Sequence, residues 1–70
     1  MLNLIYKIAN AIIKYGGKAI QAIKNVLGSL YDSFIAAYKK GFAALVEWFL
    51  DHSWIVQAIY EALKAAGLID

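Results

Sequence analysis

Seventy residues, 63% hydrophobic and 17% charged, make one domain spanning residues 1–70. It is too apolar for a disordered chain and low in charge beside an ordinary soluble domain, which carries about a quarter. No cysteine is present, which excludes a disulfide framework and a thiolate metal site. The net charge is only +2, and seven lysines without one arginine lack the residue best suited to bidentate phosphate and guanine contacts, so nucleic acid is not an expected partner.

The remaining alphabet is that of a helix former: alanine, isoleucine, leucine and lysine dominate, and proline and threonine are absent. In the first segment the polar residues Asn3, Lys7, Asn10 and Lys14 are spaced four, three and four apart, tracing one narrow stripe on a helix that is otherwise apolar. Gly16 and Gly17 are expected to end it. The second segment carries Lys18, Gln21 and Lys24 and stops at Gly28.

The third begins SLYD, where Ser29 is placed to cap the helix and Asp32 to complete a weak capping box; it stops at Gly41 after Lys39 and Lys40. The fourth, FAALVEWFL, has Glu47 and Asp51 four apart. The fifth starts near Ser53, carries Gln57, Glu61 and Lys64, and closes at Gly67. No strand alternation or hairpin signal competes. The expectation is all-α: a compact bundle of about five short helices separated by glycine breaks. Each polar stripe is thin, so each helix seeks burial around most of its circumference. Apolar residues are therefore expected to be left over on the outside, in keeping with a mean hydropathy of +0.60.

Charge is divided unevenly. Residues 1–40 carry six lysines against Asp32, net +5, while residues 41–70 carry Lys64 against Glu47, Asp51, Glu61 and Asp70, net −3. A polarised surface follows if the fold keeps the halves apart. Lys14, Lys24, Lys39, Lys40 and Lys64 all sit in the last turn of an expected helix, where a cation suits the dipole. The lysines also suit anionic lipid headgroups, at about 1 kcal/mol each near the surface.

Catalysis finds no constellation, and no enzyme is expected. His52, the only histidine, lies in a DHS run whose adjacent side chains point apart, and a triad is assembled in space. It reads as a helix-junction residue. Glu47 and Asp51 read as a solvated stripe, and one histidine without cysteine offers no metal site or cofactor pocket. Every apolar run is interrupted well short of the roughly 18 residues that span a bilayer. The start, MLNLIYKIAN, lacks the basic n-region and cleavage site of a signal peptide, so any export is expected to use another route or to follow earlier processing. Trp48, Trp54 and five tyrosines are many for this length; they fill a core, or they sit at a membrane–water boundary.

The run KYGGKAIQAI resembles the Lys-Tyr-Gly-x-Lys-Ala-Val pattern of the leaderless bacteriocins of the aureocin and lacticin Q type, matched by Lys14, Tyr15, Gly16, Lys18 and Ala19. Lys40-Gly41, Glu47-Trp48, Trp54-Ile55 and Ala66-Gly67-Leu68-Ile69 are similar to that family's downstream pattern. The resemblance covers roughly residues 2–24 and 41–69. It implies a saposin-like bundle, secreted without a leader, that binds and permeabilises the membranes of competing Gram-positive bacteria.

This chain departs from that pattern in an added middle helix around Ser29–Lys40 and in Glu61 within a less lysine-rich last helix. The circular bacteriocins are a more distant resemblance. On this reading Lys7, Lys14, Lys18, Lys24, Lys39 and Lys40 dock on an anionic bilayer. Trp48 and Trp54 enter the interface, and Gly16, Gly17, Gly28 and Gly41 serve as hinges. A partner peptide is left open. The competing expectation is a small helical interaction module or homodimer acting through an exposed apolar patch.

Overall fold

The computed structural model describes all 70 residues, and the chain is helical with no strand. Helix α1 spans Leu2–Tyr15 and α2 Gly17–Leu27; a 3-10 turn, Gly28–Leu30, leads into α3, Tyr31–Lys40. Helix α4 spans Phe42–Asp51, and a second 3-10 turn, Ser53–Ile55, leads into α5, Val56–Ala65. The folded chain measures 24 × 23 × 22 Å.

Helical period decides what each element buries. Ile5, Ile8, Ala9 and Ile12 of α1 are buried, as are Leu45, Val46, Trp48 and Phe49 of α4 and Val56, Ile59 and Leu63 of α5. These recur at i, i+3, i+4 and i+7, the spacing that puts residues on one face. Helix α2 contributes Ala19, Ile23 and Leu27, and α3 contributes Phe34 alone. All but Ala11 of the buried residues join one cluster, and no polar or charged side chain is buried with it. Helix α1 packs on α2 and α4, α3 packs on α4, and α2 packs on α5.

Glycine marks the turns as expected, with two corrections. Gly16 (φ +57°, ψ −123°) separates α1 from α2 and Gly41 (φ +117°) separates α3 from α4, both in backbone regions that a Cβ disfavours. Gly17, by contrast, is the first residue of α2 and has no positive φ, so it is not a break. At Gly28 the chain turns (φ +52°), yet hydrogen bonding resumes at once, with the Tyr31 N–H donating to the Gly28 carbonyl. Helical residues therefore follow one another from 17 to 40 with a bend at Gly28, and the chain has four contiguous helical stretches, 2–15, 17–40, 42–51 and 53–65, where about five helices are expected.

The same continuity removes the expected cap. Ser29 lies inside the 3-10 turn, the residue before α3 is Leu30, and no side chain caps α3; Asp32 still occupies the first turn, where an acid suits the dipole. Gly67 (φ +75°) closes α5: its N–H donates to the Lys64 carbonyl and the Leu68 N–H to the Leu63 carbonyl, each at 3.0 Å. Leu68 and Ile69 then fold back against the core.

Candidate membrane-binding surface

The outer face of α1 carries two stripes. Asn3, Lys7, Asn10 and Lys14 are all exposed, as the spacing predicts. Leu2, Tyr6 and Ile13 are exposed as well, at 44%, 42% and 43%. At about 100° per residue these three lie within roughly 40° of one another, between the buried face and the lysine stripe. Phe42, at the start of α4, stacks on Tyr6 with ring centroids 6.0 Å apart, which extends the apolar stripe onto a second helix. Met1, 67% exposed, leads into it.

All seven lysines are exposed, and four of them lie against tyrosine rings. Lys14 Nζ is 5.3 Å from the Tyr15 ring and Lys24 Nζ 5.3 Å from the Tyr31 ring. Lys7 and Lys64 share Tyr60, at 6.0 and 5.9 Å. The ring face attracts each ammonium by about 0.5–1 kcal/mol at an exposed site. It also holds the charge at the surface while the aliphatic stem covers apolar area. Lys7, Asn10 and Lys14 line a groove of about 330 Å³ whose other wall is Gly67–Asp70.

The two charge halves do not stay apart. Lys64, from the acidic half, meets Lys7 through Tyr60 and joins the basic face of α1. Lys40, from the basic half, lines a different groove together with Glu47 and Asp51. The expectation of a surface polarised by sequence halves is thus replaced by two local sites of different character. Lys64 is the functional candidate that linear charge counting misses, because its partner ring is set by how α5 packs and not by its neighbours in the chain. Lys18 and Lys39 are exposed, and no tyrosine ring lies under either.

The tryptophans part company. Trp54, in the 3-10 turn before α5, is 71% exposed, the highest fraction among the exposed large hydrophobic residues, and tryptophan is a residue type suited to a membrane interface. Trp48 is 7% exposed and is corrected from interface residue to core residue. Its ring meets Phe34 and Phe49 edge-on at 5.3 and 5.4 Å, and its indole N–H donates to Ser33 Oγ at 2.6 Å. Leu45, Trp48 and Phe49 share one face of α4 by their i, i+3, i+4 spacing, and packing against Phe34 makes that face the buried one.

His52 sits at the helix junction, as read. Its Nδ1 lies 2.7 Å from the Trp48 carbonyl, which can only accept, so Nδ1 carries the proton. Its ring stacks on Trp48 at 4.1 Å and approaches Trp54 at 5.2 Å. The imidazole is thereby a spacer between the buried and the exposed indole.

Of the expected hinges, Gly16, Gly28 and Gly41 occupy positive-φ turns and Gly17 does not. No group of three or more histidine, aspartate or glutamate side chains is gathered in a way that could hold a metal ion. No helix is long and apolar enough to cross a membrane. Set against known proteins, the chain matches no family, no curated protein and no solved structure.

Proposed function

We propose that this chain is a secreted antimicrobial peptide, a bacteriocin with a saposin-like arrangement of its helices, that binds and permeabilises the membranes of competing Gram-positive bacteria. The observation that carries this reading is the pairing on α1 of an exposed apolar stripe, Leu2, Tyr6 and Ile13, with an exposed lysine stripe, Lys7 and Lys14. A helix lying in the plane of a bilayer interface needs that pattern: apolar area to bury, and lysines level with the headgroups. The resemblance of KYGGKAIQAI to the leaderless bacteriocins supports the same reading, as does the exposure of Trp54.

The mechanism has two steps. Attraction to anionic headgroups, at about 1 kcal/mol per lysine, concentrates the chain at the surface and orients the α1 face toward lipid. Lys7, Lys14 and Lys64 act together there. Once docked, the energetic reason for keeping the helices closed weakens. The core in water is held by exclusion of apolar surface, and lipid accepts the same surface without that cost. The turns at Gly16, Gly28 and Gly41 let α1 and α4 swing apart without strain in the helices themselves. Leu45, Phe49, Ile8 and their neighbours then enter the acyl region.

Two measurements test the proposal. Purified chain added to dye-loaded vesicles containing a third phosphatidylglycerol is expected to release the dye, less so in pure phosphatidylcholine and less at high salt. Growth of Gram-positive indicator strains is expected to be inhibited at concentrations that cause leakage. Absence of both binding and leakage on anionic vesicles rejects the reading.

A further inference from the structure

The chain has two grooves, and one of them is walled by a segment that is not a helix. The groove between α3 and α4 is lined by residues of those two helices alone, alanines among charges of both signs. The groove beside α1 has Lys7, Asn10, Ala11, Lys14 and Tyr15 on one wall and residues 67–70 on the other. That second wall is chain folded back after α5. Gly67 (φ +75°) makes the reversal, and the Gly67 and Leu68 N–H groups tie it to the last turn of the helix.

Three contacts of different kinds hold the segment down. Leu68 and Ile69 are half-buried and pack against the core that α1 and α5 share. The Tyr60 hydroxyl of α5 donates to the Asp70 carbonyl at 2.5 Å. Asp70 is also the one acid lining a groove whose opposite wall carries Lys7 and Lys14. Tyr60 has a second duty. Lys7 of α1 and Lys64 of α5 lie over its ring at 6.0 and 5.9 Å, so a single side chain joins the segment, α5 and α1.

We propose that residues 67–70 form a strap across α1 and α5, with Tyr60 as its catch. On the permeabilising reading above, on which this rests, the strap lifts before α1 enters a bilayer. Helix α1 turns on Gly16, but it swings outward only when the wall opposite Lys7 and Lys14 lets go. An anionic surface loosens that wall. Headgroup phosphates compete with the Tyr60 ring and with Asp70 for Lys7, Lys14 and Lys64. As the lysines turn to lipid, Asp70 loses its cationic neighbours and is repelled by the surface charge. Leu68 and Ile69 then come free and add apolar area for the acyl region. In water no competing anion layer is present, and the strap stays down.

The strap is tested with and without lipid. In water, Tyr60→Phe removes the catch hydroxyl and keeps the ring beneath the two lysines. Amide exchange along α1, followed by NMR, is expected to quicken by about threefold to tenfold, with α3 unchanged. Circular dichroism reports whether the variant is helical. If it is not, Asp70→Lys takes its place, setting a cation against Lys7 and Lys14, and the same quickening of α1 is required.

On vesicles, the strap is tethered. Asn10→Cys with Ile69→Cys puts one thiol on each wall of the groove, in a chain with no other cysteine, and a bis-maleimide containing a disulfide joins them. Tethered chain is expected to bind vesicles containing a third phosphatidylglycerol within about twofold of the same chain after reduction, because its lysines stay free. Its dye release is expected to fall by about tenfold or more and to return when the tether is reduced. Equal release from tethered and reduced chain overturns the proposal. So does loss of binding on tethering, or α1 exchange that is no faster in the Tyr60→Phe variant. Wild-type chain that releases no dye rejects the permeabilising reading instead; exchange in water then supports the strap if α1 quickens and overturns it if α1 does not.

Discussion

The outer face of α1 and the α3–α4 groove are built from the same few residue types and do opposite things with them. On α1, large apolar side chains stand exposed beside charges of one sign. In the groove, the side chains are small, the charges have both signs, and the one large ring, Trp48, is packed away with its N–H satisfied. A surface of the first kind has no fixed shape to complement, and it suits a fluid partner that supplies an apolar layer and a sheet of negative charge. A surface of the second kind has mixed charges and small side chains, and it offers an anionic layer little attraction and little apolar area to bury. Binding character here is set by side-chain size and charge order more than by hydrophobicity, which both regions share.

The two regions also differ in how deeply they are tied to the core, and this gives the largest expected effect. Phe34 is the one residue of α3 that is fully buried, and it meets Trp48 and Phe49 edge-on at 5.3 and 6.2 Å. Phe34→Ala is expected to cost about 3–5 kcal/mol by urea unfolding, because nothing else on α3 can refill the space. Tyr6→Ala on α1 removes a ring that is 42% exposed and is expected to cost about 1 kcal/mol or less. Equal costs would show that the α1 face is as structural as the hairpin and would remove the ground for treating it as a free surface.

That asymmetry bears on what could be read in the sequence. The polar stripe Asn3, Lys7, Asn10 and Lys14, the turns at Gly16, Gly41 and Gly67, and the junction at His52 are local patterns, and local patterns are decided by neighbours a turn away. Three features were not legible for the same reason in reverse. Ser29 is a good cap in isolation, yet the 3-10 turn uses its backbone before its side chain is needed. Lys64 joins Lys7 only because α5 sets Tyr60 between them. Trp48 and Trp54 are alike in composition and six residues apart, and only the packing of α4 against Phe34 decides that one is core and the other exposed.

The second expected effect separates the surfaces by their partner. Lys7→Gln combined with Lys14→Gln takes two charges from the α1 stripe and is expected to lower partitioning onto anionic vesicles by about 2 kcal/mol, or roughly 30-fold. Lys40→Gln, whose lysine lines the α3–α4 groove together with Glu47 and Asp51, is expected to change partitioning by about twofold or less. The measurement is vesicle co-sedimentation, with Trp54 fluorescence as a second signal; Trp48 is already buried and contributes little shift. If Lys40→Gln weakens partitioning as much as the double α1 variant, the lysines act as a diffuse charge and the distinction between the two faces fails.

The smallest effect concerns the joint that connects the α1 face to the rest of the molecule. Gly16 and Gly17 are adjacent, equally small and equally plausible as a hinge by eye, but only Gly16 has a backbone that demands glycine. With φ +57° and ψ −123°, a Cβ at Gly16 is strained whatever the space around it, and it would also stand 3.5 Å from the Tyr38 hydroxyl. Gly16→Ala is therefore expected to destabilise by about 1–3 kcal/mol.

Gly17 already has helical backbone, and a Cβ there meets nothing within 4 Å. Gly17→Ala is expected to stabilise by about 0.4–1 kcal/mol, because alanine gives up fewer unfolded conformations to enter the helix. Thermal melts of the two variants decide the matter by sign. Opposite signs place the articulation between α1 and α2 on the single residue Gly16. A stabilised Gly17→Ala variant that keeps full leakage activity then shows that the joint opens without the second glycine.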